Sequence, residues 1–205
     1  MEYWLWVLLL IIFVLVFMRL KLKSNTKQGK KRILAIAGSG GHTTELIRLL
    51  SSLPSATLER HYAVADTDRM SIKKITEFES KLSSKSKYFT YVIPRSREVA
   101  QSWLSTVFTT LFSFVYCIPV ILKSKPDILL CNGPGTCIPI CIAALIFKFL
   151  GFCRGEIIFV ESICRVTSMS MSGKIIYPFS TKFFIQWPHL LTSYPKAIYL
   201  GGRIC

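Results

Sequence analysis

Short, unbroken apolar segments alternate with helical segments along most of this 205-residue chain. Each apolar segment has the length of a buried strand and ends in a turn rich in glycine, proline or aspartate. Strands that are apolar on both faces, with a helix between successive strands, are typical of a parallel sheet covered by helices on both sides. The alternation therefore predicts an α/β fold built on a single Rossmann-like, doubly wound parallel sheet.

The chain length allows one domain of ordinary size plus an anchor, so we expect one Rossmann-like domain over residues 33–205. Two of its helices are strongly apolar, and we expect them to be buried in the core or to form half-buried membrane-surface faces. The predicted strands cover residues 33–37, 61–65, 88–93, 127–131 and 156–160, with late strands at 182–186 and 197–200. The predicted helices cover residues 43–53, 71–82, 101–122 and 136–150, the last interrupted by Pro139.

The N-terminal segment carries no charge between Tyr3 and Met18 and consists mainly of Leu, Ile, Val, Phe and Trp. Extended to Leu20, it would span roughly 27 Å as a helix, which matches the thin bilayer of the endoplasmic reticulum. A cleaved signal peptide would begin with positive charge and end in small residues, whereas this segment begins with Glu2 and ends in Phe-Met-Arg. We therefore expect a transmembrane anchor over residues 1–20.

Positive charge follows this anchor, because residues 19–32 hold seven Lys and Arg while only Glu2 precedes the anchor. The positive-inside rule then predicts a lumenal N-terminus, a basic cytosolic linker over residues 21–32 and a cytosolic domain. The expected location is the endoplasmic reticulum membrane, spanned once, with the nuclear envelope as a further location.

The amino-acid composition limits the kinds of binding partner that we expect for this chain. The net charge of +15 and the 51% hydrophobic content suit a membrane surface with anionic lipid, or an anionic substrate, with nucleic acid as the competing explanation. The chain has seven cysteines, which is an odd number, and no Cys-x-x-Cys pair. We interpret these cysteines as reduced, mostly buried thiols. With only three histidines as well, we expect neither a metal site nor a cofactor.

A glycine-rich segment, Gly38-Ser-Gly-Gly-His-Thr43, lies between the first predicted strand and the first helix. Glycine allows a ligand to approach the backbone closely, and free N–H groups at a helix start favour a phosphate. As a dinucleotide fingerprint the segment is weak, because Thr43 replaces the third glycine and the acidic residue, Asp66, comes late. A diphosphate fits without a dinucleotide, and the alternative is a tight turn that needs glycine for steric reasons alone.

A second glycine segment, Asn132-Gly-Pro-Gly-Thr136, follows the fourth strand, and charged residues follow the third and fifth strands. The carboxyl ends of parallel strands meet at one sheet edge, where such folds bind ligands. The predicted site therefore suits an anionic ligand that carries hydroxyl groups. Its candidate diphosphate-binding residues are Gly38, Ser39, Gly40, Gly41, His42, Thr43, Arg95, Arg97, Gly133, Gly135 and Arg165.

Seven segments of the chain carry a further signal. They are Ala-Gly-Ser-Gly-Gly-His-Thr-Thr-Glu (37–45), Ala-Asp-Thr-Asp (65–68), Ile-Pro-Arg-Ser-Arg-Glu-Val (93–99), Cys-Asn-Gly-Pro-Gly-Thr-Cys (131–137), Val-Glu-Ser-Ile-Cys-Arg-Val (160–166), Gln-Trp-Pro (186–188) and Tyr-Leu-Gly (199–201). Together they resemble the eukaryotic family of asparagine-linked glycosylation protein 14, and the resemblance covers about residues 33–205. More distantly, the chain is similar to the N-terminal half of MurG-type GT-B glycosyltransferases.

The resemblance implies the membrane-anchor subunit of a two-subunit N-acetylglucosamine transferase. Its partner, of the asparagine-linked glycosylation protein 13 family, would hold the UDP-sugar, and the acceptor would be N-acetylglucosaminyl-diphospho-dolichol. Partner-binding residues would be Tyr199, Leu200 and Ile204, although the doubled glycine Gly201-Gly202 departs from the family pattern. Since a GT-B enzyme needs two Rossmann domains, we expect the chain to be inactive alone.

The acceptor hydroxyl of such a reaction needs a base, and the candidates at the sheet edge are His42, which is favoured, and Glu161, with the partner as the third source. Two other functions remain open at this point. A membrane-anchored dinucleotide-dependent oxidoreductase predicts NAD binding by the isolated domain. A basic nucleic-acid or lipid-binding module predicts salt-dependent binding to any polyanion.

Overall fold

The structure is a computed structural model that describes Trp6 and residues 30–82, 87–98 and 101–202. Its strands are β1 (Lys31–Ile36), β2 (Leu58–Ala65), β3 (Tyr88–Ile93), β4 (Ile128–Cys131), β5 (Glu156–Val160) and β6 (Lys182–Phe184). They form one parallel sheet in the order β3-β2-β1-β4-β5-β6. This confirms the predicted α/β fold with a doubly wound sheet.

Helices cover both faces of the sheet. The alternation within β1 shows why, since Ile33 and Ala35 join the core on one face while Leu34 and Ile36 join the core on the other. The helices are α1 (Gly41–Ser51), α2 (Arg69–Lys81), α3 (Trp103–Ser124), α4 (Cys137–Phe149) and α5 (Met171–Ile176). Buried residues of α1 and α2 belong to the first core, and those of α3, α4 and α5 to the second.

Both ends of the predicted domain differ from expectation. β1 begins at Lys31, inside the stretch interpreted as linker, and the N–H of Arg32 donates to Asp127 Oδ2 at 2.8 Å. The late strand predicted at 197–200 is reduced to one bridge between Phe184 and Ile198. Tyr199 and Leu200 are already outside the sheet, and Gly201 follows with a φ of +82°.

Two helical predictions also needed correction. Pro139 does not interrupt α4, because it lies in the first turn, where a missing N–H costs no intrahelical bond. Helix α5 was not expected, and it starts where the side chain of Ser170 accepts a hydrogen bond from the N–H of Gly173.

Helix α3 is only partly buried, as in the second of the two expected arrangements. Its C-terminal half packs into the core through residues such as Cys117 and Ile121, but its N-terminal half points apolar side chains outward, with Leu104 73% and Phe108 66% exposed. Within the described residues, α3 is the one helix long and apolar enough to cross a membrane, with a mean hydropathy of 1.9. Core burial therefore does not account for its composition.

The predicted anchor over residues 1–20 lies outside the described residues, apart from Trp6.

Five of the described cysteines are buried, Cys164 is exposed, and none of these six forms a disulfide. Burial raises the pKa of the Cys131 thiol well above its ordinary value, which keeps it protonated. Among the described residues, no group of three or more His, Cys, Asp or Glu side chains is arranged to hold a metal ion.

Candidate functional site

A cleft of about 620 Å³ opens at the carboxyl edge of the sheet, beside the loops that follow β1 and β4. These neighbouring strands lead to helices on opposite faces, which is the switch point where doubly wound sheets bind ligands. Seven of the predicted binding residues line the cleft, namely Ser39, His42, Arg95, Arg97, Gly133, Gly135 and Arg165.

The two glycine loops pack directly against each other. A Cβ atom added to Gly38 would lie 2.6 Å from Pro134 Cγ, and one added to Gly133 would lie 2.8 Å from His42 Cε1. Gly133 also has φ +73°, a conformation that side chains rarely adopt. At Gly38 and Gly133, packing within the protein is therefore enough to explain glycine.

Gly41 is different. It is the first residue of α1, and a Cβ atom added to it would meet no protein atom within 4 Å. The preceding residue, Gly40, has φ +71°, and no side chain caps this helix end. The first backbone N–H groups of α1 therefore have no side-chain partner at the cap, and the space above Gly41 is open, although Gly40 and Gly41 are not among the residues that line the cleft.

His42 is held by the neighbouring loop. Its Nδ1 lies 3.2 Å from Oδ1 of the buried Asn132, whose Nδ2 donates to the Val160 carbonyl at 3.3 Å. Because the Asn132 amide already uses its nitrogen, its oxygen accepts from the Nδ1–H of His42. This assigns the hydrogen to Nδ1 and leaves Nε2 as the ring atom that can take a proton.

Three arginines make the polar end of the cleft electropositive. Arg95 Nη2 donates to Ser39 Oγ at 2.9 Å, and the Arg97 guanidinium lies 4.2 Å from the centre of the Trp103 ring. Arg165 completes the set, and the single carboxylate in the lining is Glu98. An excess of guanidinium groups with fixed partners suits an anionic ligand.

Thr43 and Glu161 do not line the cleft. Thr43 is buried and donates to the Gly38 carbonyl oxygen. Glu161 is fully buried, where Oε2 accepts from the N–H and hydroxyl of Ser170 and Oε1 accepts from the N–H of Ser162. Burial raises the pKa of the Glu161 carboxyl, and these hydrogen bonds oppose that rise. Its contacts fix the start of α5.

Sequence reasoning missed the apolar wall of the cleft, because uncharged segments in α3 and α4 were assigned to the core or the membrane surface. The hydroxyl groups of α3 could have indicated that this helix contacts a polar loop. Thr109 donates to the Ser96 carbonyl at 2.7 Å, and Ser113 donates to the Pro94 carbonyl at 2.8 Å. These bonds hold the arginine-bearing loop against α3. The apolar wall consists of Trp103, Val107, Leu111, Ile138, Met171 and Ile175.

Two of the three predicted partner-binding residues are described by the structure. Tyr199 packs against the second core, Leu200 is exposed, and Ile204 lies outside the described residues. Neither Tyr199 nor Leu200 lines the cleft.

Comparison with known proteins decides the family. The family model described as "Oligosaccharide biosynthesis protein Alg14 like" matches residues 33–203. The chain belongs to the Alg14 family. It is 55% identical to the human UDP-N-acetylglucosamine transferase subunit ALG14 over 175 residues, which cover 82% of this chain and 81% of the human protein. It is 44% identical to the Schizosaccharomyces pombe protein of the same name over 183 residues, covering 87% and 86%.

Solved structures agree with the Alg14 assignment at the level of fold. MurG from Acinetobacter baumannii matches 78% of this chain with a TM-score of 0.57 and 14% identity, while the chain spans 42% of MurG. A UDP-N-acetylglucosamine 2-epimerase matches 76% of the chain with a TM-score of 0.52 and 15% identity, again over 42% of its length. Membership of the Alg14 family supports a glycosyltransferase subunit, and it does not support the dinucleotide-dependent oxidoreductase.

The open space above Gly41 gives the first prediction. We expect Gly41→Val to abolish UDP-N-acetylglucosamine transferase activity of the assembled complex without loss of folding, because the new side chain meets the ligand and no protein atom. Activity assays and co-purification with the partner subunit measure the two effects. Gly38→Val is the matched control and should impair folding, since Pro134 occupies the space it needs. Unchanged turnover in Gly41→Val would show that nothing binds there.

Proposed function

We propose that this chain is the membrane-anchoring, acceptor-binding subunit of a two-subunit UDP-N-acetylglucosamine transferase. The complex adds the second N-acetylglucosamine to N-acetylglucosaminyl-diphospho-dolichol at the cytosolic face of the endoplasmic reticulum. The observation that carries the proposal is the cleft, whose lining combines three arginines with an apolar wall. A diphosphate joined to a polyprenyl chain combines the same two chemistries.

The diphosphate would be bound at the polar end. Arg95, Arg97 and Arg165 supply positive charge, and the N-terminus of α1 at Gly41 supplies backbone N–H groups. The lipid chain would leave along the apolar wall formed by α3, α4 and α5. Because the exposed face of α3 continues from that wall, the same helix would lie on the bilayer from which the acceptor enters.

This arrangement agrees with the domain organisation inferred from sequence, in which an anchor over residues 1–20 and a basic linker over 21–32 precede the Rossmann-like domain. The linker would contact anionic headgroups while α3 contacts the apolar layer. No nucleic acid partner is needed to explain the positive charge. The soluble catalytic subunit, of the asparagine-linked glycosylation protein 13 family, would be recruited through the C-terminal segment that contains Tyr199, Leu200 and Ile204.

In the reaction, the acceptor sugar hydroxyl oxygen forms a bond to the anomeric carbon of the donor sugar. The bond from that carbon to the diphosphate of UDP breaks, and UDP leaves with the electron pair. His42 Nε2 takes the hydroxyl proton, because Asn132 fixes the hydrogen on Nδ1 and the ring lines the cleft. Glu161 is less suited to this role, since both its oxygens are occupied below the cleft surface.

A reconstitution assay tests the proposed function. We expect no transfer of N-acetylglucosamine by this chain alone or by the partner alone, and transfer when both are combined, because the donor and acceptor sites lie on different subunits. The measurement is radiolabelled product formed from the lipid-linked acceptor. Activity of this chain alone, or binding of NAD with reduction of a substrate, would contradict the proposal.

The base assignment gives a separate prediction. His42→Ala should lower turnover by at least about 100-fold, since loss of a general base typically costs 10²–10⁴-fold. Membrane attachment and co-purification with the partner should not change. Glu161→Gln keeps the size of the buried side chain but replaces one accepting oxygen by a donating NH2 group, and it is expected to change turnover only a few-fold because Glu161 does not line the cleft. The reverse order of the two effects would move the base role to Glu161.

Membrane attachment gives the next prediction. Deleting residues 1–24 should release only part of the protein from vesicles containing anionic lipid, because α3 still binds the bilayer. In the truncated protein, Phe108→Asp should release most of the remainder, as measured by vesicle sedimentation. Met70→Asp is the matched control, because Met70 is similarly exposed (65%) on α2, over the opposite face of the sheet, and should have no effect. Equal release by both variants would refute the bilayer contact, and resistance of the truncated protein to carbonate extraction would indicate an internal span.

A further inference from the structure

A buried carboxylate lies beside His42 and is not used by the mechanism above. Glu45 is one helical turn further along α1 and is 8% exposed. Its Oε1 accepts from the Ser162 hydroxyl at 2.9 Å and from the Ile163 N–H at 3.4 Å. Its Oε2 lies 4.0 Å from His42 Nδ1. Within the described ranges, Oε2 is the one buried side-chain oxygen or nitrogen without a hydrogen-bond partner.

An unsatisfied buried carboxylate oxygen is costly, so its presence needs a reason. Holding the loop after β5 is not sufficient, because a glutamine at position 45 could accept the bonds from Ser162 and Ile163 through its amide oxygen. What only a carboxylate provides is negative charge, and the nearest group to the unsatisfied oxygen that can gain positive charge is the His42 ring.

We propose that Glu45 is a positioning residue that stabilises the protonated form of His42 created when Nε2 takes the acceptor proton. In the neutral ring, Nδ1–H donates to Asn132; in the protonated ring, the added positive charge lies 4.0 Å from Glu45 Oε2. The inference rests on the base role of His42 in the proposed function.

Other charged groups also line the cleft. They are three cations from other elements, Arg95, Arg97 and Arg165, and one further carboxylate, Glu98. Asn132, which touches the ring from the loop after β4, is neutral. Because guanidinium groups in the same cleft disfavour a second positive charge, the Glu45 carboxylate 4.0 Å from the ring would oppose their effect.

The variant Glu45→Gln isolates the charge, since it retains the acceptor for Ser162 and Ile163. In the assembled complex, we expect the acid limb of the kcat profile to move to lower pH by about 1 unit, because the ring without its counter-charge releases its proton more readily. Turnover on the plateau should fall by roughly 10-fold, which is less than for His42→Ala, because a weaker base removes the proton more slowly.

A readout that does not depend on turnover is NMR of the complex with labelled histidine, since the chain has only three His. The titration midpoint of the His42 ring should move to lower pH in Glu45→Gln and move less in Glu45→Asp, which keeps the charge. Ser162→Ala is the matched control: it removes a donor to Glu45 Oε1 without changing charge, and should leave the midpoint in place.

An unchanged midpoint in Glu45→Gln, or an equal shift in Ser162→Ala, would overturn the proposal and leave Glu45 as a loop anchor. If the midpoint shifts as expected while His42→Ala retains near-normal turnover, the coupling between Glu45 and His42 stands and the base role fails. Co-purification with the partner subunit verifies folding. If Glu45→Gln does not fold, the titration midpoint of the His42 ring is measured in Glu45→Asp instead.

Discussion

The arrangement of the site depends on the contact between the two glycine loops that follow β1 and β4. These strands are neighbours in the sheet although two other strands separate them along the chain, so the loops meet only in the folded domain. Gly38 gives space to Pro134, and Gly133 gives space to the His42 ring. Asn132 then fixes the ring from the second loop. A side chain at the start of α1 is thus oriented by residues about 90 positions away, and loss of either glycine would separate the helix end from its orienting amide.

The second organising feature is the position of α3 at the boundary between polar and apolar surfaces. Thr109 and Ser113 use their hydroxyl groups to hold the carbonyls of Ser96 and Pro94, which places the loop with Arg95 and Arg97 on this helix. The opposite side chains of the same turns are apolar and exposed. One helix therefore supports the arginine-bearing loop of the cleft and presents an apolar face outward. A ligand with an anionic group joined to an apolar chain could contact both surfaces at once.

The sequence pattern located the six strands because each contains an apolar run with a turn at its end, although β3, at the edge of the sheet, is only partly buried. It was insufficient for α3, since an uncharged helix has the same composition whether it packs in a core or lies on a bilayer. The glycine loops were recognised, but the sequence could not separate Gly38 and Gly133, which packing requires, from Gly41, which packing does not. A strand was predicted at 197–200 where the structure has one bridge at Ile198, and helix α5 was missed, because each depends on a few tertiary hydrogen bonds rather than on a repeated pattern.

Glu45 and Glu161 show how hydrogen-bond partners distinguish residues that look equivalent in the sequence. Both are carboxylates next to the glycine loops, and both are buried. Oε2 of Glu161 accepts hydrogen bonds from Ser170, which caps α5, and Oε1 accepts from the N–H of Ser162, so its charge is already compensated by local structure. Glu45 has one oxygen compensated in that way and one directed at a histidine that can gain a proton. In the proposed reaction, the uncompensated oxygen would gain its stabilising partner only when His42 takes the proton of the acceptor hydroxyl.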